Sequence, residues 1–275
     1  MNSLGLLSAV GAAICWGSFF VPIRKVRVTD IWQLQGATGI GVILFAIPIG
    51  FLWGFQVLPA GLLSGAIWTA GNILALYSVR LIGLSRTSPF LAGFSILVSF
   101  LWGILYFDEK FNYMVLAIIA VGLLLGGLAF ISNTSKNQPI QKKGYLIAVA
   151  SGLVGGSYVI PLQATHSLQT GFFSSSLSIF AIGIPLLLLS RKFAKKEMMA
   201  GILSGGLFNM GSLSVLVAVG LIGITVAYPI SQTATLFAIS WGILYFREIV
   251  HRESIFRVIA GAGLILCGAA LITIA

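Results

Sequence analysis

Carboxylates are nearly absent from this sequence. Six acidic residues stand among 275, against 16 basic ones, and charged residues of both signs make up 8% of the chain. A soluble domain usually carries about a quarter charged residues. A chain this poor in charge cannot cover a water-exposed surface, and a hydrophobic content of 58% points to an integral membrane protein. In a soluble protein the basic excess would suggest nucleic acid. Here it fits cytoplasmic loops and lipid headgroups, so the bilayer, not nucleic acid, is the expected partner.

Other absences narrow the function. The two cysteines, Cys15 and Cys267, lie in apolar runs without metal-ligand spacing, and such cysteines act as small apolar residues. No nucleophile–base–acid set and no phosphate loop can be found, so neither an enzyme nor a cofactor or metal site is expected. The N-terminus has no basic region and no obvious small-residue cleavage site, so the first segment is expected to be a retained helix rather than a signal peptide. All six acids, Asp30, Asp108, Glu109, Glu197, Glu248 and Glu253, fall at the ends of apolar runs or in loops. No carboxylate is left at membrane depth to counter a bound cation or relay a proton.

Apolar runs are plentiful. A helix needs about 20 mostly apolar residues to cross the hydrocarbon core. Ten such runs can be read, at 3–22, 31–53, 60–80, 85–107, 112–132, 144–162, 170–190, 198–219, 225–246 and 254–274. The fold class is therefore an all-α integral membrane protein with ten transmembrane helices. The gaps near Phe55 to Pro59 and Gly220 to Ile224 are short and uncharged, and read as tight turns. The one clearly hydrophilic segment, SNTSKNQPIQKK at Ser132 to Lys143, divides the chain almost in half.

The halves repeat. WGILYFDE at Trp102 to Glu109 returns as WGILYFRE at Trp241 to Glu248, and the 30 residues from Gly61 to Phe90 align without gaps to Gly201 to Ile230 with eleven identities. GSFFVPI at Gly17 to Ile23 matches GSYVIPL at Gly156 to Leu162, and every offset is 139 or 140 residues. Chance likeness between apolar segments is common, but a constant offset across several helices is not. The expected organisation is a first five-helix repeat at 1–132, a polar linker at 133–143, and a second repeat at 144–275.

Five is odd, so the second copy must enter the membrane from the opposite side. That is the inverted-topology repeat of many transporters. Charge agrees. Fifteen of the 16 basic residues, all but Lys110, flank the face reached after the odd-numbered runs, and Arg24, Lys25, Arg27 and Arg80 become Gln163, Ala164, His166 and Gly220 in the other half. Positive residues stay cytoplasmic, which places both termini on the outer side of the cytoplasmic membrane.

An inverted repeat keeps its ligand site near the midplane between the halves. Ser64, Trp68 and Asn72 are spaced i, i+4, i+8 and form one helical stripe. Their repeat partners are Ser204, Phe208 and Ser212, with Asn209 one step round. The first run adds Trp16 and Ser18, and the sixth adds Ser157 and Tyr158. The ninth adds Tyr228, Ser231, Gln232, Thr233 and Thr235. The candidate site is Trp16, Ser18, Trp68, Asn72, Ser157, Tyr158, Asn209 and Gln232. Amides donate and accept together, as a hydroxyl does, and indole and phenol rings offer flat faces to the C–H side of a sugar ring. Helix–helix packing is the alternative for each small polar residue.

Pro22, Pro48, Pro89, Pro161, Pro185 and Pro229 are expected to kink or begin helices, as hinges or fixed bends. Gly122 with Gly126, and Gly261, Gly263 and Gly268, read as close-packing faces. Glu109 and Glu248 read as residues of helix-end packing or as partners of Lys110 and Arg252, with proton coupling as the alternative.

Ten helices in two inverted halves resemble the drug/metabolite transporter superfamily. GLLSGAIWTAGN at Gly61 to Asn72, LIGLSRTSP at Leu81 to Pro89 and WGSFFVPIRK at Trp16 to Lys25 look like the bacterial glucose/ribose uptake family. Glu109 and Glu248 match acids that end its fourth and ninth helices. The resemblance implies uptake of a sugar, driven by proton symport; the site residues suit a small neutral one, and two fused halves fit a monomer or homodimer. An exporter of amino acids or other metabolites on the same fold is the rival, and a non-transporting membrane scaffold is the third reading.

Overall fold

In a computed structural model of the chain, the described residues are 2–26, 30–106, 114–132, 141–165, 169–190, 193–222, 227, 230–231, 233–249 and 251–274. All regular structure among them is helical. The helices are α1 (Ser3–Ser18), α2 (Val21–Lys25), α3 (Ile31–Trp53), α4 (Pro59–Ile82), α5 (Leu84–Leu105), α6 (Met114–Ser132), α7 (Lys142–Gly156), α8 (Ile160–Ala164), α9 (Gly171–Leu188), α10 (Lys195–Ile222), α11 (Ala234–Ser240) and α12 (Arg252–Ile274). A π-helical turn, Trp241–Tyr245, continues α11.

Helix occupies each of the ten expected runs. Six helical stretches among the described residues, two of them interrupted by a turn, are long and apolar enough to cross a membrane: Ser3–Lys25, Ile31–Trp53, Pro59–Ile82, Lys142–Ala164, Gly171–Leu188 and Lys195–Ile222. Two shorter apolar helices are Val115–Ile131 and Ala234–Tyr245. Large apolar side chains such as Phe51, Leu105, Leu188 and Leu244 stand exposed on the outside, where lipid tails are the fitting solvent.

Local chemistry sets the boundaries. Asn2 caps α1 by accepting from the amides of Leu4 and Gly5, and Asp30 caps α3 by accepting from the amide of Trp32. Each leaves fewer of the first-turn N–H groups without a partner. Pro59 opens α4, where its missing N–H costs nothing. The first and sixth runs are not continuous. Turns at residues 19–20 and 157–159 interrupt them, and Pro22 and Pro161 sit in the first turn of the short helices that follow. Pro48, Pro89 and Pro185 lie inside helices, and Pro229 lies outside the described residues. Helix α10 runs from Lys195 to Ile222, several residues beyond the expected 198–219.

Glycine contacts fix the helix directions. Gly5 lies against Leu221 and Ile222, and Gly211 against Cys15 and Trp16, so α1 and α10 are antiparallel. Gly144 lies against Leu81 and Ile82, and Gly71 against Ser151 and Gly155, so α7 and α4 are antiparallel in the same way. Helices α3 and α10 run parallel, through Gly201 on Leu34 and Gly205 on Thr38 and Val42. So do α4 and α9, through Gly61 on Gly171 and Ser174 and Gly65 on Ser175 and Ser178. Helices α3 and α9 cross antiparallel, with Gly36 against Gly183 and Leu187 and Gly39 against Ile179.

Helices α6 and α12 pack mainly on each other. The expected contact is made in part, through Gly261 and Gly268. Gly122, Gly126 and Gly263 face open space, while Gly127 meets the backbone of Gly261, and Gly268 meets that of Ala120. The GxxxG spacing is present, but a neighbouring glycine one step round the helix makes the close approach.

Candidate functional site

The middle of the bundle is aromatic. The rings of Trp68 on α4 and Phe208 on α10 stack with centroids 4.1 Å apart and planes at 33°. Both residues are 8% exposed, and buried Val42 and Ile179 complete the cluster. Trp16, Phe19 and Tyr158 pack around it, half-buried. The Trp16 indole N–H donates to the Phe208 carbonyl over 3.3 Å, and the Phe19 ring centroid is 5.9 Å from that of Phe208. Expected residues Trp16, Trp68 and Tyr158 thus come together from three helices or helix ends far apart in sequence.

The two asparagines lie just beside this cluster. Asn72 is one turn beyond Trp68; its amide donates to Gln35 Oε1 over 2.7 Å. Asn209, next to Phe208, donates to the Val42 carbonyl at 2.9 Å and to Ser176 Oγ at 3.0 Å. Both are buried, so their partners offset the cost of removing amides from water.

Ser18 and Ser157 do something else. The Trp241 indole donates to Ser18 Oγ over 2.9 Å, and the Trp102 indole donates to Ser157 Oγ over the same distance. The Ser157 hydroxyl in turn donates to the Leu153 carbonyl at 3.2 Å. These serines tie the two WGILY segments to the broken ends of α1 and α7, at positions related by the 139-residue offset. Gln232 lies outside the described residues, as do Tyr228 and Glu109.

Gln35 is the residue that sequence reading missed. It is fully buried on α3, and its Nε2 has no hydrogen-bond partner; the buried hydroxyls of Ser64 and Ser204 likewise have none. Two glutamines two residues apart in the apolar run IWQLQGATGI were a signal of the same kind as Asn72. The other one, Gln33, clamps the Ala194 backbone, donating at 2.9 Å and accepting at 3.1 Å.

A second polar cluster closes one end of the bundle, around Glu248. Its carboxylate accepts from the Leu84 amide at 2.9 Å, the Ser85 amide at 2.8 Å, the Ser85 hydroxyl at 2.7 Å and Arg24 Nε at 3.0 Å. It therefore sits at the N-terminus of α5, where the exposed N–H groups and the helix dipole favour an anion. The expected partner, Arg252, is replaced by Arg24, 224 residues away.

Backbone geometry explains how Glu248 gets there. The π-helical turn ends the α11 segment, Arg247 takes φ of +52°, and the Glu248 amide returns to the Gly242 carbonyl at 3.0 Å. A positive φ at a non-glycine residue is uncommon and is sustained only by strong surroundings. Gly83 answers it from the other side. Its φ is +83°, and a side chain there would run into the Glu248 carboxyl carbon. Lys25 and Arg24 lie over the rings of Tyr245 and Phe246 at 5.1 and 5.7 Å. A cavity of about 210 Å³ opens beside them, lined by Ile23, Arg24, Lys25, Val26, Leu76, Val79 and Arg80.

Comparison with known proteins agrees with this architecture. The family model described as "Sugar transport protein" matches residues 7–275. The chain is 25% identical to "Glucose uptake protein GlcU" of Bacillus subtilis over 99% of each chain. It is 27% identical to "Putative ribose uptake protein RbsU" of Staphylococcus epidermidis over 98% of each. One crystal structure aligns with a TM-score of 0.62 over 98% of this chain and 97% of its own, at 15% identity; that likeness is one of fold alone.

Proposed function

The chain belongs to the sugar transport protein family, and on that premise we propose that it carries a small neutral sugar into the cell by alternating access. It is a multi-pass membrane protein. Two inverted five-helix halves, 1–132 and 144–275, rock about the Trp68–Phe208 stack, with both termini outside the cytoplasmic membrane. The observation that carries this reading is the reciprocal pair Trp102–Ser157 and Trp241–Ser18. Each half lends an indole to the other half's first helix, as a two-fold relation between the halves requires. Helix directions support the inversion: α3 opposes α9, and α4 opposes α10, because each runs parallel to the other's partner in that crossing.

The site suits a sugar. Trp16, Trp68, Phe208 and Tyr158 offer ring faces, and Asn72 and Asn209 bring amides on either side. No described carboxylate joins them, which fits an uncharged ligand better than a cation. In this conformer the stack is closed, and the Glu248 cluster pins the basic, cytoplasmic end. Opening that end requires Glu248 to release Arg24 and the start of α5. At the opposite end Gln163 stands where Arg24 does, so the same ion pair cannot form there.

Counterflow into proteoliposomes with labelled sugars and amino acids, with and without a pH gradient, tests the proposal. Sugar exchange is expected, and acceleration by an inward proton gradient would extend it to symport. Exchange of amino acids alone would favour the exporter. The tight packing of Trp68 on Phe208 is what a non-transporting scaffold would also have, and no exchange of any solute would favour that reading.

A further inference from the structure

Three buried polar atoms near the central stack have no hydrogen-bond partner. They are Gln35 Nε2, Ser64 Oγ and Ser204 Oγ. Leaving such an atom unpaired is costly, and serine in a helix usually relieves the cost by bonding the carbonyl four residues back. Ser176, Ser212, Ser214 and Ser240 do so here. Ser64 and Ser204 do not. They are repeat partners, each one turn before a ring of the stack, Trp68 or Phe208. Because α4 and α10 run in opposite directions, the two hydroxyls fall on opposite sides of the stack. Ser204 shares its side with Asn72, which follows Trp68 by one turn, and with Gln35.

Gln35 is the most exacting of the three. Turning the Gln35 and Asn72 amides end for end exchanges nitrogen and oxygen but still leaves one Gln35 atom alone. Pairing with Asn72 accounts for the Gln35 oxygen, but no contact in the fold accounts for its free Nε2. Building on the sugar-transport reading, we infer that Gln35 is a substrate-binding residue: its free amide group, held in place by Asn72, reads one sugar hydroxyl on the cytoplasmic side of the Trp68–Phe208 stack. A hydroxyl can donate and accept at once, so it satisfies the amide in either orientation. A sugar lacking that hydroxyl leaves the amide buried and unpaired, which is how a hydrogen-bonding site rejects a deoxy analogue.

The test is counterflow inhibition by a series of monodeoxy sugars, on the full-length wild type and on Gln35→Leu. Wild type is expected to lose about tenfold in affinity for one deoxy position beyond the losses at the others. In Gln35→Leu that one penalty should shrink to within about twofold, while the others stay. An unchanged profile in Gln35→Leu, with sugar exchange intact, overturns the inference and leaves the transport reading standing. Absence of sugar exchange by wild type removes the transport reading itself. Should Gln35→Leu fail to reach the membrane, Gln35→Asn serves. It keeps the amide but withdraws it by one methylene, so weaker binding of the parent sugar with a reduced penalty at the same position is expected. Wild-type affinity for every sugar in Gln35→Asn overturns the inference.

Discussion

Glu248→Ala separates a latch from a plain structural cap. The substitution removes four acceptor contacts, to Arg24, two α5 amides and the Ser85 hydroxyl. The Glu248 side chain is 6% exposed and that of Arg24 is 40% exposed, so solvent screens the ion pair, which contributes at most about 1 kcal/mol. The two amides matter more. Losing a helix N-terminal cap costs about 0.5–2 kcal/mol, and the hydrogen bond from Ser85 to a charged acceptor adds about 1.5–3 kcal/mol. The terms overlap, and a total near 3 kcal/mol is the working figure, or about 100-fold in an equilibrium. If the cluster holds the cytoplasmic end shut, that loss falls on the closed conformer alone.

The assay places a single cysteine at Ile23, which is 1% exposed and lines the cavity at that end, with Cys15 and Cys267 replaced. Inside-out vesicles are treated with a membrane-impermeant maleimide. Labelling at position 23 should accelerate by roughly 10- to 100-fold in Glu248→Ala, and by less in Glu248→Gln, which keeps one acceptor oxygen. A lower unfolding temperature with unchanged labelling would refute the reasoning, because the carboxylate would then stabilise every conformer equally.

Two further outcomes follow from the packing. Trp102→Phe and Trp241→Phe each remove one indole donor to a serine; each should destabilise the protein by about 0.5–1.5 kcal/mol, measurable by thermal unfolding in detergent, and a silent member of the pair would contradict the two-fold relation. Gly127→Ala drives a methyl into the Gly261 backbone and should cost about 1–3 kcal/mol, whereas Gly122→Ala faces open space and should be neutral or slightly stabilising; the same melts decide.

Much of this fold could be read from the apolar runs, because crossing a bilayer demands a length and a composition that nothing else does. The run at 31–53 is α3 to the residue, bounded by the Asp30 cap and by Gly54 at φ +95°. The breaks before Pro22 and Pro161 were legible only as prolines, since the turns fall on ordinary residues ahead of them. The aromatic contact at the candidate site was foreshadowed in the sequence, because Trp68 and Phe208 share a repeat position, and the structure brings their rings together. Glu248 was paired with Arg252 because the two are near in sequence. Arg247 in its left-handed conformation turns the chain back instead, and no local pattern announces that. Gln35 was passed over although a glutamine in an apolar run is a signal of the same kind as Asn72; its unpaired Nε2 is visible only in the packed structure. Ser18 and Ser157 were legible as a matched pair, but not as acceptors for the two WGILY indoles.

Alternating access requires the halves to enter the bilayer in opposite senses, and the two WGILY segments test that most directly. Tyr106 and Tyr245, which end them, are both exposed. In a background without native cysteines, Tyr106→Cys and Tyr245→Cys are treated with impermeant maleimide on intact cells and on inside-out vesicles. The prediction is labelling of position 106 from the outside only and of position 245 from the inside only. Labelling of both from the same side would contradict the inverted repeat, and with it the alternating-access mechanism.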